Sequence, residues 1–449
     1  MSSSRIQITH YEERKCKFSE SMDVTINTKK IVTPIFSPRL KSDGELKIYS
    51  TIKSLYDPKY LSVQVVRLLD AGRTVYSNIK SKVPLNIVDQ TLYSPPPQST
   101  ENGILLIDPA LEYLYYTSNM ERIANTPFVP RAVNTYVNNY MAKEAKMDDA
   151  KHKGEEVIST QLFRDAEHTN FWSCVEKDTN MRTKLMRDTF TLELKCRTDI
   201  LIPPVPLITN SHLLNIAIFM NEKSRAFAPA LDDEKRDCAD YFIIKPSILK
   251  NKNIMASIKE YVADSETPIT LFKFKNLNLC DESLALERSE FKSFLMELAL
   301  VTQHSEKKAF GLLEAGNQTF PAAFSSFAIV STGFNLDRED RRKDQQDISP
   351  FTNRYDPKNM TMQNKETFLA TVENNDNTIP CDCRICYENP EVPKSDFIEY
   401  NRIAKEHYLL CREQEMNEIV TAIERQESQM GFDKIMRSSL KNLADIIPR

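Results

Sequence analysis

Short, nearly continuous apolar runs alternate along this chain with longer stretches in which apolar residues recur every three or four positions. The first pattern predicts strands buried on both faces and the second predicts amphipathic helices, so the alternation reads as repeated βα units over a parallel sheet. Eight strands are expected, at 31–36, 61–68, 104–107, 199–202, 241–244, 270–274, 311–313 and 328–330. Eight is the number that closes a (β/α)8 barrel, and a TIM barrel of the α/β class is the expected fold. Helical spacing is clearest at 211–223, 250–262 and 282–303, the last with Asp281 placed as N-cap.

The same pattern divides the chain. Residues 1–30 precede the first barrel strand as an N-terminal extension, and 31–345 hold the eight βα units. A charged helical insertion at about 137–196 is far longer than a barrel connection needs, and its segment 142–156 mixes Lys, Asp and Glu as a solvent-facing or mobile stretch does. From 337 to 380 the chain turns polar and rich in Asn, Asp and Gln. It then enters a second, helical region, so 346–449 is expected as a C-terminal helical subdomain.

Composition narrows the class. Of 449 residues, 41% are hydrophobic and 27% charged, and no apolar run reaches the ~20 residues of a membrane span. The opening Met-Ser-Ser-Ser-Arg-Ile-Gln has no apolar signal core, and nine cysteines, scattered apart from one cluster, suit a reducing compartment. A cytoplasmic protein without a membrane partner is the expectation. The net charge of −4 argues against coating nucleic acid by bulk positive charge. Arg338, Arg341, Arg342 and Lys343 form a local basic run, but Asp337, Glu339, Asp340 and Asp344 interleave with it, which favours a solvated loop over a phosphate-binding patch. With only eight glycines, those that remain, Gly311, Gly316 and Gly333 among them, mark positions other residues would strain.

The densest chemistry is Cys381-Asp-Cys383-Arg-Ile-Cys386, followed by His407 and Cys411. A tight turn carrying Cys-x-Cys-x2-Cys supplies three ligands to a tetrahedral zinc ion and leaves the fourth to a later element. His407 and Cys411 are four residues apart on one helix face, and either could reach back. The expected set is Cys381, Cys383, Cys386 and His407, with Cys411 as the alternative fourth ligand. Four protein ligands and no vacancy make such a zinc structural.

This cluster, lying behind an expected barrel and ahead of a helix bearing the histidine, resembles the tRNA-guanine transglycosylase (queuine/archaeosine tRNA-ribosyltransferase) superfamily. Members are (β/α)8 barrels with a C-terminal Cys-x-Cys-x2-Cys…His zinc subdomain that exchange guanine for a 7-deazaguanine base. Thr33-Pro34-Ile35-Phe36-Ser37-Pro38 is similar to the family's first strand, Ile107-Asp108-Pro109-Ala110 to its third-strand Asp-Ser-Gly, and Thr198-Asp199-Ile200 to its fourth-strand start. The chain departs from the family elsewhere. Ser331, within 327–334, falls where the Asp nucleophile stands, Pro204 where a base-recognising Asp stands, and Lys245-Pro246-Ser247 where Gln-Gly-Gly stands.

The resemblance implies a divergent transglycosylase-like protein acting on a nucleobase in tRNA or DNA, which if active would be a pentosyltransferase. The alternative is a catalytically inactive, zinc-stabilised barrel serving as a nucleic-acid-binding or partner subunit, in a homo- or hetero-dimer. Asp108, closing an apolar strand at the rim where barrel enzymes carry catalytic groups, is the matched acid–base candidate, although an Asp before Pro also caps turns. Asp337 and Asp340, just past the last strand, are candidate replacements for the nucleophile. Asp199, Glu314, Gly316 and Asn317 make up the expected base- or substrate-binding set. Lys273 and Lys275 share one face of the sixth strand, and facing inward they are costly unless paired with Glu314, Asp108 or an anion. Glu112, Tyr113, Tyr115 and Tyr116 offer either a stacking wall for a base or ordinary packing.

Overall fold

The computed structural model describes residues 6–10, 22–40, 43–61, 63–67, 104–115, 131–153, 160–195, 198–275, 285–304, 308–314, 316, 319–325, 327–334, 353–358, 361–376 and 378–424. In chain order its elements are β1 (Ile6–His10), β2 (Met22–Ile26), β3 (Lys29–Val32), β4 (Ile35–Leu40), α1 (Asp43–Tyr56), β5 (Val63–Arg67) and β6 (Ile104–Asp108). Three helices follow, α2 (Arg131–His152), α3 (Thr160–Lys177) and α4 (Thr179–Lys195). Next come β7 (Leu207–Ile208), α5 (Ser211–Phe227), β8 (Asp240–Ile244), α6 (Lys252–Asp264), β9 (Ile269–Phe274), α7 (Ala285–His304), β10 (Ala309–Leu313), α8 (Thr319–Phe324) and β11 (Phe327–Thr332). The chain closes with β12 (Arg354–Asp356), β13 (Thr361–Gln363), α9 (Lys365–Glu373), α10 (Arg384–Glu388) and α11 (Phe397–Glu424). The fold is mixed α/β, built on parallel strands. Two compact units are distinguished, one built on Leu105–Phe272, the other on Ile6–Val65 and Lys273–Arg449.

In the second unit β4, β11 and β10 lie side by side and parallel, with Ile329 opposite Ile35 and Ser331 opposite Ser37. Every residue of the three is buried, which is why their sequences read as unbroken apolar runs. The register slips between Phe310 and Gly311, a bulge at one of the few glycines. Ahead of them β1, β2 and β3 make a separate antiparallel sheet, and Asn27 and Thr28, both at positive φ, form the two-residue turn joining β2 to β3. The expected single strand at 31–36 is thus two: β3 ends at Val32, and β4 begins after Pro34 and runs on to Leu40.

In the first unit β7 pairs in parallel with β8. The expected strand at 199–202 is reduced to isolated parallel bridges, Leu106 to Ile200 and Leu201 to Cys238. Pro203, Pro204 and Pro206 lack the N–H a ladder needs, so regular pairing resumes only at Leu207. Helices α5 and α6 start at Asn210 and Asn251, whose side chains accept from Leu213 N at 3.0 Å and Ile254 N at 3.2 Å. The charged stretch after β6 forms α2, α3 and α4, held by an aromatic run in which Tyr136 lies 4.5 Å from Phe171 and Phe171 lies 5.3 Å from Trp172, ring centre to ring centre. Asp281, the expected cap of α7, lies outside the described residues. No helix among the described residues is long and apolar enough to cross a membrane.

Candidate metal centre

Helix α11 begins at Asp396, whose carboxylate accepts from Glu399 N at 2.9 Å, and its spacing places His407 and Cys411 one turn apart on the buried face. Facing them is the turn that leads into α10. Cys381 is half-buried, Cys383 heads the short helix and Cys386 lies within it, both buried. The Nδ1 atom of His407 lies 3.9 Å from Cys381 Sγ, 3.2 Å from Cys383 Sγ, 3.3 Å from Cys386 Sγ and 3.5 Å from Cys411 Sγ. A tetrahedral ion with bonds of about 2.3 Å to sulfur and about 2.0 Å to nitrogen sets its ligands roughly 3.5–3.8 Å apart, a range that the separations of 3.2–3.9 Å bracket.

His407 is oriented for the task. Its Nε2–H donates to the Tyr355 carbonyl at 2.7 Å, which leaves the Nδ1 lone pair directed at the sulfurs. Hydrogen bonding with Cys381 and Cys386 holds the Cys383 thiol well below the ordinary range, while hydrogen bonding with Cys381 and Cys383 pushes Cys411 well above it. Four sulfurs so close cannot all ionise unless a positive ion sits among them.

Four donor atoms, from Cys381, Cys383, His407 and Cys411, all lie within 4.8 Å of one another and could hold a metal ion. The structure therefore brings together Cys381, Cys383 and His407 of the expected set, with Cys411 as the fourth member. Cys386 lies 3.3 Å from both His407 Nδ1 and Cys383 Sγ, and accepts from the Arg354 guanidinium at 2.7 Å. Arg354 is buried and stacks over Phe368, 4.7 Å from its ring centre. Nothing in the spacing of the cysteines marked this arginine; its nearest signal is the polar stretch before the cluster.

The supports reach well beyond the ligands. Tyr355 Oη donates to Glu415 at 2.6 Å, and Arg412 donates to the other carboxylate oxygen at 2.8 Å and to Thr319 Oγ1 at 2.9 Å. Arg412 also lies over Phe36, and Tyr408 meets Phe36, Phe334 and Tyr355 at 6.1, 5.8 and 5.5 Å between ring centres. The face of α11 that carries the metal ligands thus also binds β4, α8 and β12.

Elsewhere in the second unit Glu314 ends β10 in the left-handed region at φ 50°. Its carboxylate meets Arg39 Nη1 at 2.7 Å, Lys273 Nζ at 3.0 Å and Lys275 Nζ at 3.5 Å, all four side chains being buried. The two lysines are buried and Glu314 is a partner of both. Gly316, at φ 51°, turns the chain into α8, where its carbonyl accepts from Thr319 Oγ1 at 3.0 Å. Asn317, Asp337 and Asp340 lie outside the described residues.

In the first unit Asp108 is fully buried, and its Oδ1 accepts from Ala110 N and from Tyr241 Oη, each at 2.9 Å. The first contact is the Asx turn its position before Pro109 implies. A Glu112 carboxylate oxygen lies within 4.8 Å of one from Asp108. Asp199 accepts from Leu105 N at 2.8 Å and so ties the irregular 199–202 segment to β6. Two buried groups carried no sequence signal. His168 donates through Nε2–H to the Leu207 carbonyl, 3.1 Å away, and burial lowers its pKa to about 4. Glu193 accepts from Ile202 N at 3.0 Å, and burial raises its pKa well above the usual carboxylate range.

No family model and no curated protein matches the chain.

Proposed function

We propose that this chain is a divergent, zinc-stabilised transglycosylase-like protein, its eight parallel strands closed as a (β/α)8 barrel, and that it serves as a nucleic-acid-binding or partner subunit. The observation that carries the reading is the end of β11. Where the resemblance calls for a carboxylate nucleophile stands Ser331, fully buried and paired in register with the equally buried Ser37. A serine hydroxyl does not replace a carboxylate at the ribose C1′ without a base to activate it. The ion-paired Glu314 supports the same reading, because three cations around one buried carboxylate serve cohesion better than proton transfer.

Cys381, Cys383, His407 and Cys411 are the donors we assign to the zinc. With all four positions taken by protein, the ion supplies folding energy and no open coordination site. Its work is to fasten the Cys turn to α11, and through α11 to β4 and α8.

A second reading, base exchange in tRNA or DNA, rests on Asp108, buried at the end of β6 with one hydrogen bond from a tyrosine. Labelled guanine or a 7-deazaguanine, incubated with the protein and tRNA or DNA, separates the two. The chain alone is expected to bind nucleic acid or a second subunit without incorporating label; incorporation that Asp108→Ala abolishes would establish the second reading instead.

A further inference from the structure

Parallel α/β sheets take their ligands in the crevice at the carboxyl ends of the strands, and in the first unit helix α3 is fastened there. Its Asp165 Oδ1 accepts from Tyr115 Oη at 2.7 Å, and Tyr115 closes the short helical turn Leu111–Tyr115 that follows β6. One turn on, His168 Nε2–H donates to the Leu207 carbonyl of β7 at 3.1 Å. Further along, Ser173 Oγ lies 2.9 Å from Nε2 of His212, in the first turn of α5. Lys245, the residue after β8, joins the same group: it donates to Tyr115 Oη at 3.2 Å, with its ammonium 5.5 Å from the centre of that ring.

The Leu207 contact shows how closely α3 is fitted to the strand ends. In a parallel strand the N–H and C=O of one residue point to one side and those of the next residue to the other. The Ile208 carbonyl accepts from Lys245 N at 3.1 Å, so Leu207 turns its own carbonyl away from β8. A buried carbonyl needs a donor, and His168 supplies the one that a neighbouring strand would give. The same imidazole, fully buried, meets the Tyr115 ring edge-on at 5.4 Å between ring centres, and Trp172, one turn further and equally enclosed, lies 6.5 Å from it.

We propose that α3 is an autoinhibitory strap: latched to Tyr115, Leu207 and His212, it holds the carboxyl ends of β6, β7 and β8 of the first unit shut against ligands. Released, it uncovers the Tyr115 ring with the Lys245 ammonium beside it. The inference stands on the geometry of the first unit and depends neither on the metal nor on base exchange.

The test is hydroxyl-radical footprinting of the full chain, read by mass spectrometry, with the exposed Tyr387 and the fully buried Phe242 of β8 as references. In the parent chain Tyr115 is expected to be protected as Phe242 is. In the double variant Asp165→Ala, His168→Ala it is expected to lose that protection and to label at the rate of Tyr387, while Phe242 stays protected. The double variant Asp165→Asn, His168→Gln keeps an acceptor for Tyr115 and a donor for Leu207, and is expected to behave as the parent. Labelling of Tyr115 in the parent, its protection in the alanine variant or its exposure in the conservative one overturns the proposal. So does labelling of Phe242 together with Tyr115 in the alanine variant, because the contacts would then belong to the core and not to a strap across it. If the alanine variant does not fold, hydrogen exchange of the parent decides: α3 amides are expected to open ahead of those of β8, and exchange of both together overturns the strap.

Discussion

His168 and Glu193 show what single buried groups contribute in the first unit. Burial holds His168 neutral with its pKa lowered to about 4, so the unfolded chain takes up a proton below its ordinary value near 6.5 that the folded chain refuses. The stability it protects is present above that value and lost as pH falls towards 4, a change of about 3 kcal/mol. Urea unfolding at pH 7 and pH 4.5 should show His168→Phe losing less stability on acidification than the parent. Glu193 has the opposite sign. Its folded carboxyl stays protonated where the unfolded one ionises, so it costs stability as pH rises above the usual carboxylate value near 4.3. Glu193→Gln should therefore flatten the decline of stability between pH 5 and 8, and a parallel shift of both curves would contradict this. Neither residue was legible in the sequence, because a lone His or Glu on a helix gives no hint of what will cover it. The cysteines were legible as a cluster that could hold a metal because three thiols in six residues have few other uses, yet spacing alone left the fourth ligand open between two residues of one helix face. That Cys386 takes a hydrogen bond from Arg354, about 30 positions upstream, is something no local pattern shows.

At the scale of elements, α11 is where the second unit is tied together. Arg412 is fully buried, holds Glu415 and Thr319 and covers Phe36, while Glu415 also takes the Tyr355 hydroxyl. Removing the guanidinium strands a buried carboxylate, so Arg412→Ala should cost roughly 3–5 kcal/mol in chemical denaturation. Restoring an apolar side chain of similar volume on both sides, Arg412→Met with Glu415→Leu, should recover most of that loss; if the double variant is no better than the single one, the pair is not the source of the cost. The strands that proved easiest to read were the apolar ones buried on both faces, β6, β8, β9, β10 and β11. The hardest was the segment at 199–202, where strand-like residues run straight into Pro203 and Pro204 and the backbone cannot extend the ladder. The break after Val32 was hidden for the related reason that the apolar residues on either side of Thr33-Pro34 look like one strand.

For the whole molecule, we propose a metal-fastened helical end on a parallel α/β sheet, with Ser331 standing where base exchange would need a carboxylate. Structural zinc contributes on the order of 10 kcal/mol to small domains that depend on it, more than many entire domains have in reserve. Treatment with a strong chelator should accordingly lower the thermal midpoint of the chain and expose α11 to proteolysis, and added zinc should reverse both; an unchanged midpoint would mean that the ion, if bound, holds little together. The class of fold and the metal-binding region could be argued from alternation and cysteine spacing. The buried pairing of Arg39, Lys273 and Lys275 with Glu314 was foreseen only as a condition on which way the lysines faced, since periodicity places residues on a face without saying which face is covered. The most direct test of the central claim is zinc K-edge X-ray absorption on the purified full chain. Three sulfur neighbours at about 2.3 Å and one nitrogen at about 2.0 Å are predicted; an oxygen-rich shell, or no bound zinc, would contradict it.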